Sequence, residues 1–503
     1  MGSRDVRVLL LYPPNQSPPG FMCKPNGSLA YPSLGGALRR HGIDVHVYDA
    51  CVGGDGDPPD VFYTSPSQLP SGMIRTGVPD ERILQEAADF DIVGITSIFT
   101  EQETMVLRAA RLIKEAFPEK ILVSGGVNAR SRLPQFFGAG FDVVCLSESE
   151  DTIIKIVDAV RHSSTPDFSA MRGVAFMDSG NIRLIPADSR DLLWDLDQLP
   201  MPAWDLLPNE RYWSIARPHG GVFAPNTEVR YASMVTSLGC PFHCSYCHIG
   251  GEQEGSISGF IGRFRVKSDE RVLEELDYLR DLGVKQIFIE DDSLLADKKR
   301  ALRLLRKIQG YGFDIIDVNG VNVIHLLKRW QPDREVLEAL IEAGFTQLAL
   351  PFESGNLRII RKYASNKLNI EKSDIRALIL ACKEYGLRIL GNYMIGYPDE
   401  TLEEVETTIQ LGRDHMSYGL DSANFFIVIP LPGTPIFDIA VAGGYLKPDF
   451  DPDTMNFLRA NMKGTTVPAE KVEELRDRAW EEMNAPEFKE YKKSMIVAKP
   501  AAV

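Results

Sequence analysis

The sequence has few cysteines, no long apolar run and no excess of basic residues. Its seven cysteines in 503 residues are an odd number, and no secretory signal precedes them, so we expect no disulfide framework. No apolar stretch approaches the roughly 20 residues that cross a bilayer. The net charge of −15 argues against general nucleic-acid binding, because phosphate contacts need clustered Lys and Arg. We therefore expect a cytoplasmic protein without a membrane span.

The first 165 residues alternate strand and helix patterns, which predicts an α/β fold with a flavodoxin-like or Rossmann-like parallel sheet. The strand patterns lie at 7–11, 44–48, 91–95, 120–124 and 141–145. Such sheets bind ligands at the carboxyl ends of their strands. The candidate binding residues at these ends are Tyr12, Pro13, Asn15, Ser97, Thr100, Gly125, Gly126, Asn128, Ser147 and Glu148.

The alternation resumes between residues 229 and 445. Six strand patterns, at 231–236, 286–290, 314–320, 347–351, 388–394 and 424–429, predict a partial (β/α)6 barrel. A barrel of parallel strands carries its chemistry at the strands' carboxyl ends. Residues 166–228 lack this rhythm and are rich in Pro and Trp, so we expect an ordered linker. Residues 446–503 predict a small helical C-terminal region that caps the substrate pocket.

Three of the cysteines fall within eight residues. Cys240, Cys244 and Cys247 have the spacing C-x3-C-x2-C, and thiolates at this spacing can reach three irons of one cubane cluster while the fourth iron stays open for a ligand. The same cysteines with His243 or His248 could form a Cys3His zinc site, although no second C-x2-C knuckle follows. Inert thiols are the remaining alternative.

This loop resembles the signature of the radical S-adenosylmethionine (SAM) enzymes. Further segments match elements of that family in order along the barrel strands, at 289–292, 351–355 and 391–396. The resemblance implies that Cys240, Cys244 and Cys247 ligate a 4Fe–4S cluster. It also implies SAM as cofactor, in contact with Tyr246, Asp291, Glu353, Ser354, Asn392 and Ile395.

The N-terminal pattern is similar to the cobalamin (B12)-binding domain that precedes the barrel in one subclass, the class B methyltransferase-like enzymes. The matching pieces are 11–14, 32–35, 91–96, 125–126 and 196–205. The resemblance implies cobalamin as a third cofactor, held by the strand-end residues given above. The alternative is a domain kept only as a scaffold, because flavodoxin-like layers host many functions.

The resemblance implies a methyltransferase that acts on an unactivated carbon, or on phosphorus, of a small molecule or natural-product intermediate, through a 5′-deoxyadenosyl radical and methylcobalamin. It also implies an external electron donor of the flavodoxin or ferredoxin type. Two other functions stay open from the sequence: radical rearrangement or cyclisation without methylation, and a zinc-binding protein that is not an enzyme.

Overall fold

The chain is described by a computed structural model that covers residues 5–21, 25, 29–163, 165–215 and 230–489. It forms two compact units. Among the described residues, unit 1 contains those before 216 together with 252–261, and unit 2 contains 230–251 and 262–489. The chain thus leaves unit 2 directly after the cysteine loop and returns ten residues later. Within these ranges, no helix combines the length and apolar character of a membrane span.

Unit 1 is an α/β domain. Its strands are β1 (Arg7–Tyr12), β2 (Asn15–Ser17), β3 (Asp44–Asp49), β4 (Ser67–Gln68), β5 (Ile74–Thr76), β6 (Ile92–Thr96), β7 (Ile121–Gly125), β8 (Val143–Cys145), β9 (Val174–Asp178) and β10 (Asn181–Ile185). Its helices are α1 (Ala30–Arg40), α2 (Val61–Thr64), α3 (Asp80–Ala87), α4 (Glu103–Ala116), α5 (Val127–Ser131), α6 (Leu133–Gly138), α7 (Glu150–His162) and α8 (Asn209–Ile215).

The main sheet of unit 1 has the order β10-β9-β8-β7-β6-β1-β3. Its five parallel strands follow the flavodoxin-like order, in which the direction of winding reverses between β1 and β6. Both faces of β1 are buried. Leu9 and Leu11 pack in the core that includes α3 and α4, and Val8 and Leu10 pack in the core that includes α1 and α7. The continuous apolar run of β1 follows from this two-sided burial.

An antiparallel hairpin extends this sheet at a place where the sequence predicts only a linker. β9 pairs with β8 and with β10, so residues 174–185 of the segment 166–228 belong to the sheet. Ser179 and Gly180 connect the two strands with φ of 50° and 82°, and two central residues with positive φ are typical of a type I′ hairpin turn. The short alternating runs around this turn were the available signal, and the Pro-rich stretch that follows obscured it.

Unit 2 is also an α/β domain. The strands are β11 (Tyr231–Met234), β12 (Ser237–Leu238), β13 (Arg265–Val266), β14 (Gln286–Ile289), β15 (Asp314–Asp317), β16 (Leu327–Lys328), β17 (Gln331–Pro332), β18 (Phe345–Glu353), β19 (Arg388–Ile395) and β20 (Ser422–Ile427). The helices are α9 (Asp269–Asp281), α10 (Lys298–Ile308), α11 (Arg334–Glu342), α12 (Leu357–Tyr363), α13 (Ile375–Glu384), α14 (Leu402–Ser417), α15 (Pro435–Ala442) and α16 (Ala469–Met483).

Six parallel strands form the main sheet of unit 2, in the sequential order β11-β14-β15-β18-β19-β20. This order, with helices in the connections, is that of the predicted (β/α)6 arrangement. Helix α16 packs against β20. Immediately after α16, the Asn484 side chain accepts a hydrogen bond from the Ala423 N–H and donates one to the Ala423 carbonyl. It therefore satisfies backbone groups at the edge of this sheet, which would otherwise be open for pairing.

The two-sided burial of β1 predicts that truncation on either face destabilises unit 1. We expect Leu9→Ala and Leu10→Ala each to cost about 2–5 kcal/mol, because each leaves a cavity in a separate core. Leu184→Ala on the same sheet is the control, since Leu184 is 37% exposed. Thermal unfolding followed by circular dichroism measures the three midpoints. If only one of the two core variants lowered the unfolding midpoint, the assignment of both faces of β1 to buried cores would be contradicted.

Candidate active site

Two carboxylates after β14 hold the start of the cysteine loop. Asp291 accepts hydrogen bonds from the Thr236 N–H (2.6 Å), the Thr236 hydroxyl (2.7 Å) and the Ser237 hydroxyl (2.5 Å). Asp292 accepts from the Gly239 N–H at 2.8 Å. The chain between β11 and the first cysteine is therefore fixed by the neighbouring strand. These bonds fix Asp291 against its own chain, although the sequence predicts that it contacts SAM.

Burial of these carboxylates raises their pKa values. Burial raises the pKa of Asp291 above its usual range. The hydrogen bonds from Ser237 and Thr236 and the charge of Arg300 oppose this effect only in part. The pKa of Asp292 rises to about 6, because burial outweighs its hydrogen bond from Gly239. Both groups thus depend on backbone and hydroxyl donors of the cysteine loop for their stabilisation.

Gly239 begins the loop at a position where an added side chain would clash. Its φ is +75°, and an added Cβ would overlap the carbonyl oxygen of Arg263. The next residue, Cys240, donates its N–H to the Gly262 carbonyl at 3.1 Å. The chain at Gly239 approaches the chain at Gly262 and Arg263 so closely that this position requires a glycine.

The middle of the loop is anchored on two helices. Ser245 donates its N–H to the Tyr363 carbonyl at the end of α12 (2.7 Å) and accepts at its own carbonyl from the Ile436 N–H of α15 (2.8 Å). Cys247 closes a turn by donating to the Cys244 carbonyl at 3.1 Å. These hydrogen bonds fix the backbone of the loop.

The three cysteine thiols converge. Burial raises the pKa of each thiol, and for Cys247 the pKa reaches about 12. The charge of another cysteine of the loop adds to this effect for Cys240 and Cys247, whereas for Cys244 the charge of Lys367 lowers the pKa and that of Glu353 raises it. Within the described residues, no set of three or more His, Cys, Asp or Glu side chains is grouped to hold a metal ion. Three thiols in one short loop suit a multi-iron cluster, in which each thiolate binds a different iron.

Glu353 lies beside this loop at the end of β18. It has φ +65°, and the register of β18 against β19 shifts just before it, so the backbone is strained at this point. Its carboxylate forms an ion pair with Lys367 at 2.7 Å, and the two side chains are only 6% and 10% exposed. Sequence reasoning missed Lys367, because no motif includes it and it follows Glu353 by fourteen residues.

Tyr246 lies among the buried side chains around the loop. Its ring packs near Tyr397, with centroids 6.2 Å apart, and its buried hydroxyl interacts with the Cys244 thiol. Burial is the main cause that raises the pKa of Tyr246, and the charges of Glu353 and Cys244 add to it. A neutral phenol therefore lies beside the Cys244 thiol.

The other predicted SAM residues differ in their orientation. Ser354 is fully buried, and its hydroxyl lies 3.2 Å from that of Thr408 on α14. Asn392 and Ile395 lie on opposite faces of β19, because side chains alternate along a strand. Asn392 is half-buried and accepts a hydrogen bond from Asn424 on β20, whereas Ile395 is fully buried.

Glu400 holds the turn after β19. Its Oε2 accepts hydrogen bonds from the N–H groups of Gly396 (2.7 Å) and Tyr397 (3.2 Å). Its Oε1 is buried and lacks a partner in the described part of the chain. Burial raises the pKa of Glu400 to about 8, despite these two donors. The side chain is therefore mainly protonated at neutral pH.

In unit 1, several predicted cobalamin residues form one buried polar network. Asn128 donates to the Ser97 hydroxyl (3.0 Å) and to Glu103 (3.1 Å), and accepts from the Thr100 hydroxyl (3.0 Å). Gly126 has φ +101°, and a Cβ there would overlap the Ser97 carbonyl. These residues join the loops after β6 and β7 to each other, so their polar atoms are directed at the chain itself.

The remaining predicted cobalamin residues lie at the same edge of the sheet. Tyr12 and Pro13 are buried, while Asn15, Gly125 and Glu148 are half-buried. The Ser147 hydroxyl donates to the Ser258 carbonyl at 2.9 Å.

Sequence reasoning missed two apolar residues beside this group. Ile98 and Phe99 follow β6 and are 37% and 56% exposed. They lie where the winding of the sheet reverses, which is the usual ligand crevice of such folds.

The fold and the cysteine loop define an α/β protein whose converging thiols suit an iron–sulfur cluster. The family described as the radical SAM superfamily matches residues 234–412. A protein of Pyrococcus horikoshii named an uncharacterized methyltransferase is 31% identical over 363 residues, which are 71% of this chain and 71% of that protein. The chain belongs to the radical SAM superfamily, and the resemblance drawn from its motifs is confirmed. Its cofactors therefore include a 4Fe–4S cluster and SAM.

Two further proteins are similar over most of the chain. Cytidylyl-2-hydroxyethylphosphonate methyltransferase of Streptomyces wedmorensis is 24% identical over 449 residues, covering 83% of this chain and 78% of that protein. The solved structure of the radical SAM methyltransferase TsrM from Kitasatospora setae, with cobalamin and a 4Fe–4S cluster bound, has a TM-score of 0.62 at 16% identity. It covers 88% of this chain and 79% of its own, and at that identity it shows the shared fold.

The position of Gly239 predicts that a methyl group there disrupts the cluster site. We expect Gly239→Ala to lose most of its iron after anaerobic reconstitution, because the Cβ would push apart the two ends of the loop. Gly386→Ala is the matched control, since Gly386 has a similar φ of +80° with nothing within 4 Å of an added Cβ. Iron and sulfide analysis compares the variants, and equal iron in both would refute the steric explanation.

The raised pKa of Glu400 predicts a pH-dependent loss of stability. Between its ordinary pKa of 4.5 and about 8, the folded protein binds a proton that the unfolded chain releases, so stability falls as the pH rises through this window. The size is on the order of a few kcal/mol. We expect Glu400→Gln to reduce the fall in melting temperature between pH 6 and pH 8.5, a range chosen to lie within about two units of that pKa.

Glu474→Gln is the control for this measurement. Glu474 lies on α16 and has a lowered pKa because of its hydrogen bond from Lys471, and its charge is not among those that act on Glu400. Its stabilising contribution is lost only as the pH falls below its ordinary pKa, so this variant should keep the slope of the parent protein at neutral and alkaline pH. An unchanged slope in Glu400→Gln would show that another group is responsible.

Proposed function

We propose that this protein is a cobalamin-dependent radical SAM methyltransferase that methylates a carbon or phosphorus centre of a small molecule. The observation that carries the proposal is the loop of Cys240, Cys244 and Cys247, packed and hydrogen-bonded against the end of α12, in a chain that also contains a flavodoxin-like sheet. The names of the two similar proteins, both methyltransferases, support the reaction type. The cobalamin in the TsrM structure supports the second cofactor.

In the proposed site, the three cysteines ligate the cluster and unit 2 supplies the contacts to SAM. Glu353 and Tyr246 are the contacts closest to the thiols, and Asn392 presents its amide from the half-buried face of β19. When bound, the cluster and SAM supply the radical, and cobalamin supplies the methyl group. Asp291, Ser354 and Ile395 act indirectly, because their side chains are buried and directed at the chain itself.

The crevice between the ends of β1 and β6 is the proposed cobalamin site. Ile98 and Phe99 offer exposed apolar surface there, which suits a large, flat macrocycle. Gly125 leaves its backbone open on the next strand, since an added Cβ would meet nothing closer than 3.6 Å. The network around Asn128 would hold these loops in place while the ligand binds.

A one-electron donor of the flavodoxin or ferredoxin type would reduce the cluster. We place the enzyme in the cytoplasm, where thiols stay reduced and a cluster can be assembled on them. Substrate would enter from the carboxyl ends of the strands, and the region after α15 is the candidate cap.

Anaerobic reconstitution with iron, sulfide and hydroxocobalamin tests this function. We expect a visible spectrum with contributions from both cofactors and, after addition of SAM and a reductant, formation of 5′-deoxyadenosine. A variant with all three cysteines changed to Ala should lose the cluster and 5′-deoxyadenosine, yet keep cobalamin, because the thiols and the sheet belong to different units. A parent protein that forms the cluster but binds no cobalamin would contradict the methyltransferase proposal.

The apolar crevice gives a second test. We expect Phe99→Ala to weaken cobalamin binding about 10-fold or more, as the loss of a buried aromatic contact of about 1.5–3 kcal/mol implies. Trp194→Ala is the matched control, since Trp194 is 57% exposed in the same unit but does not follow a parallel strand of the sheet. Titration with hydroxocobalamin measures both affinities, and equal weakening would exclude this crevice.

A further inference from the structure

The end of α12 and the turn that follows it contact the cysteine loop from one side. We call this segment, residues 363–367, the clasp. Its first residue, Tyr363, accepts a hydrogen bond at its carbonyl from the Ser245 N–H at 2.7 Å. Two residues later, the Ser365 hydroxyl accepts from the His243 N–H at 3.1 Å. The clasp therefore binds the backbone of the loop on both sides of Cys244.

The clasp owes its shape to two strained residues. Ser365 and Asn366 have φ of 55° and 51°, which is unusual for side chains other than glycine and costs on the order of 1–3 kcal/mol each. Asn366 donates its N–H back to the Ile360 carbonyl at 3.1 Å, and Ala364 packs against Cys244. The strained turn ends the helix and directs the next residue, Lys367, toward the thiols.

Lys367 is a buried cation. Its ammonium pairs with Glu353 at 2.7 Å, and its side chain is only 10% exposed. Burial alone would lower the pKa of Lys367, but the nearby Glu353 carboxylate and the thiols of Cys244 and Cys240 hold it above its ordinary value. Because Ala364 packs against Cys244 and Ser365 binds the backbone of His243, the ion pair of Lys367 and Glu353 lies beside the cysteine loop.

We propose that Lys367 is a positioning residue that fixes Glu353 and sets the reduction potential of the cluster. Reduction adds one electron to a cluster that, with its three thiolates, is already anionic. A fixed cation at close range stabilises the reduced form more than the oxidised form, and burial strengthens this effect because little water screens it. Lys367 thus raises the reduction potential of the cluster. The negative charge of Glu353 acts in the opposite direction and offsets part of this increase.

This inference rests on the cluster of the proposed function but not on cobalamin or methyl transfer. A redox titration without SAM, monitored by electron paramagnetic resonance, measures it in the full-length protein reconstituted with iron and sulfide and reduced with titanium(III) citrate. We expect Lys367→Met to shift the midpoint potential to more negative values. Lys367→Arg keeps the charge and should stay near the parent. Glu353→Gln removes the opposing charge and should shift the potential in the positive direction.

Lys383→Met is the matched control. Lys383 also pairs with a carboxylate, Asp421, at 2.7 Å, but it lies on α13 and touches no part of the cysteine loop among the contacts described. Its removal should leave the potential unchanged. A Lys367→Met protein with full iron content and the parent's potential overturns the proposal, as does an equal shift in the control.

If Lys367→Met binds no iron–sulfur cluster, a second variant tests the proposal. Glu353→Gln leaves a cation, not an unpaired carboxylate, beside the anionic cluster, so it should retain iron. A positive shift in that variant supports the proposal, and an absent or negative shift overturns it. Failure of cobalamin binding in the parent would contradict the proposed function alone, because the titration does not depend on it.

Discussion

The hydrogen bonds that the chain before Cys240 donates to Asp291 and Asp292 are the constraint on which the site depends. They join the end of the first barrel strand to the end of the second, so the loop starts from a fixed point. Gly239 then allows the chain to turn where no other residue fits. Because the carboxylates are buried, these donors are needed for stability as well as for geometry.

A second constraint is the balance of buried charge around the thiols. Deprotonated cysteines, Glu353 and the nearby Asp292 would place several negative charges in one poorly solvated region, and such a region is unstable without a cation. Lys367 supplies that cation from the clasp, and Arg300 does the same for Asp291 by donating to the Thr236 hydroxyl and carbonyl. Buried cations are therefore part of the site at which an anionic cofactor would bind.

Much of the fold followed from local patterns. The predicted strands at 7–11 and 388–394 agree with β1 and β19 within one residue, because buried apolar runs and alternation are properties of short segments. The hairpin of β9 and β10 was missed, since its signal is a single Ser-Gly turn beside a Pro-rich stretch. The motif 391–396 was located correctly, yet its residues Asn392 and Ile395 lie on opposite faces, which a motif alone does not reveal.

The sequence by itself determined the cysteine spacing, the two α/β patterns and the order of the strand-end motifs, because each depends on residues close together in the chain. Only the tertiary structure decided which side chains meet. Lys367 reaches Glu353 and the cysteine loop because a strained turn directs it there, and Asp291 accepts hydrogen bonds from Thr236 and Ser237 of the neighbouring loop. Exposure of Ile98 and Phe99 is likewise a property of the packed sheet, since an apolar pair in sequence is equally compatible with a buried core.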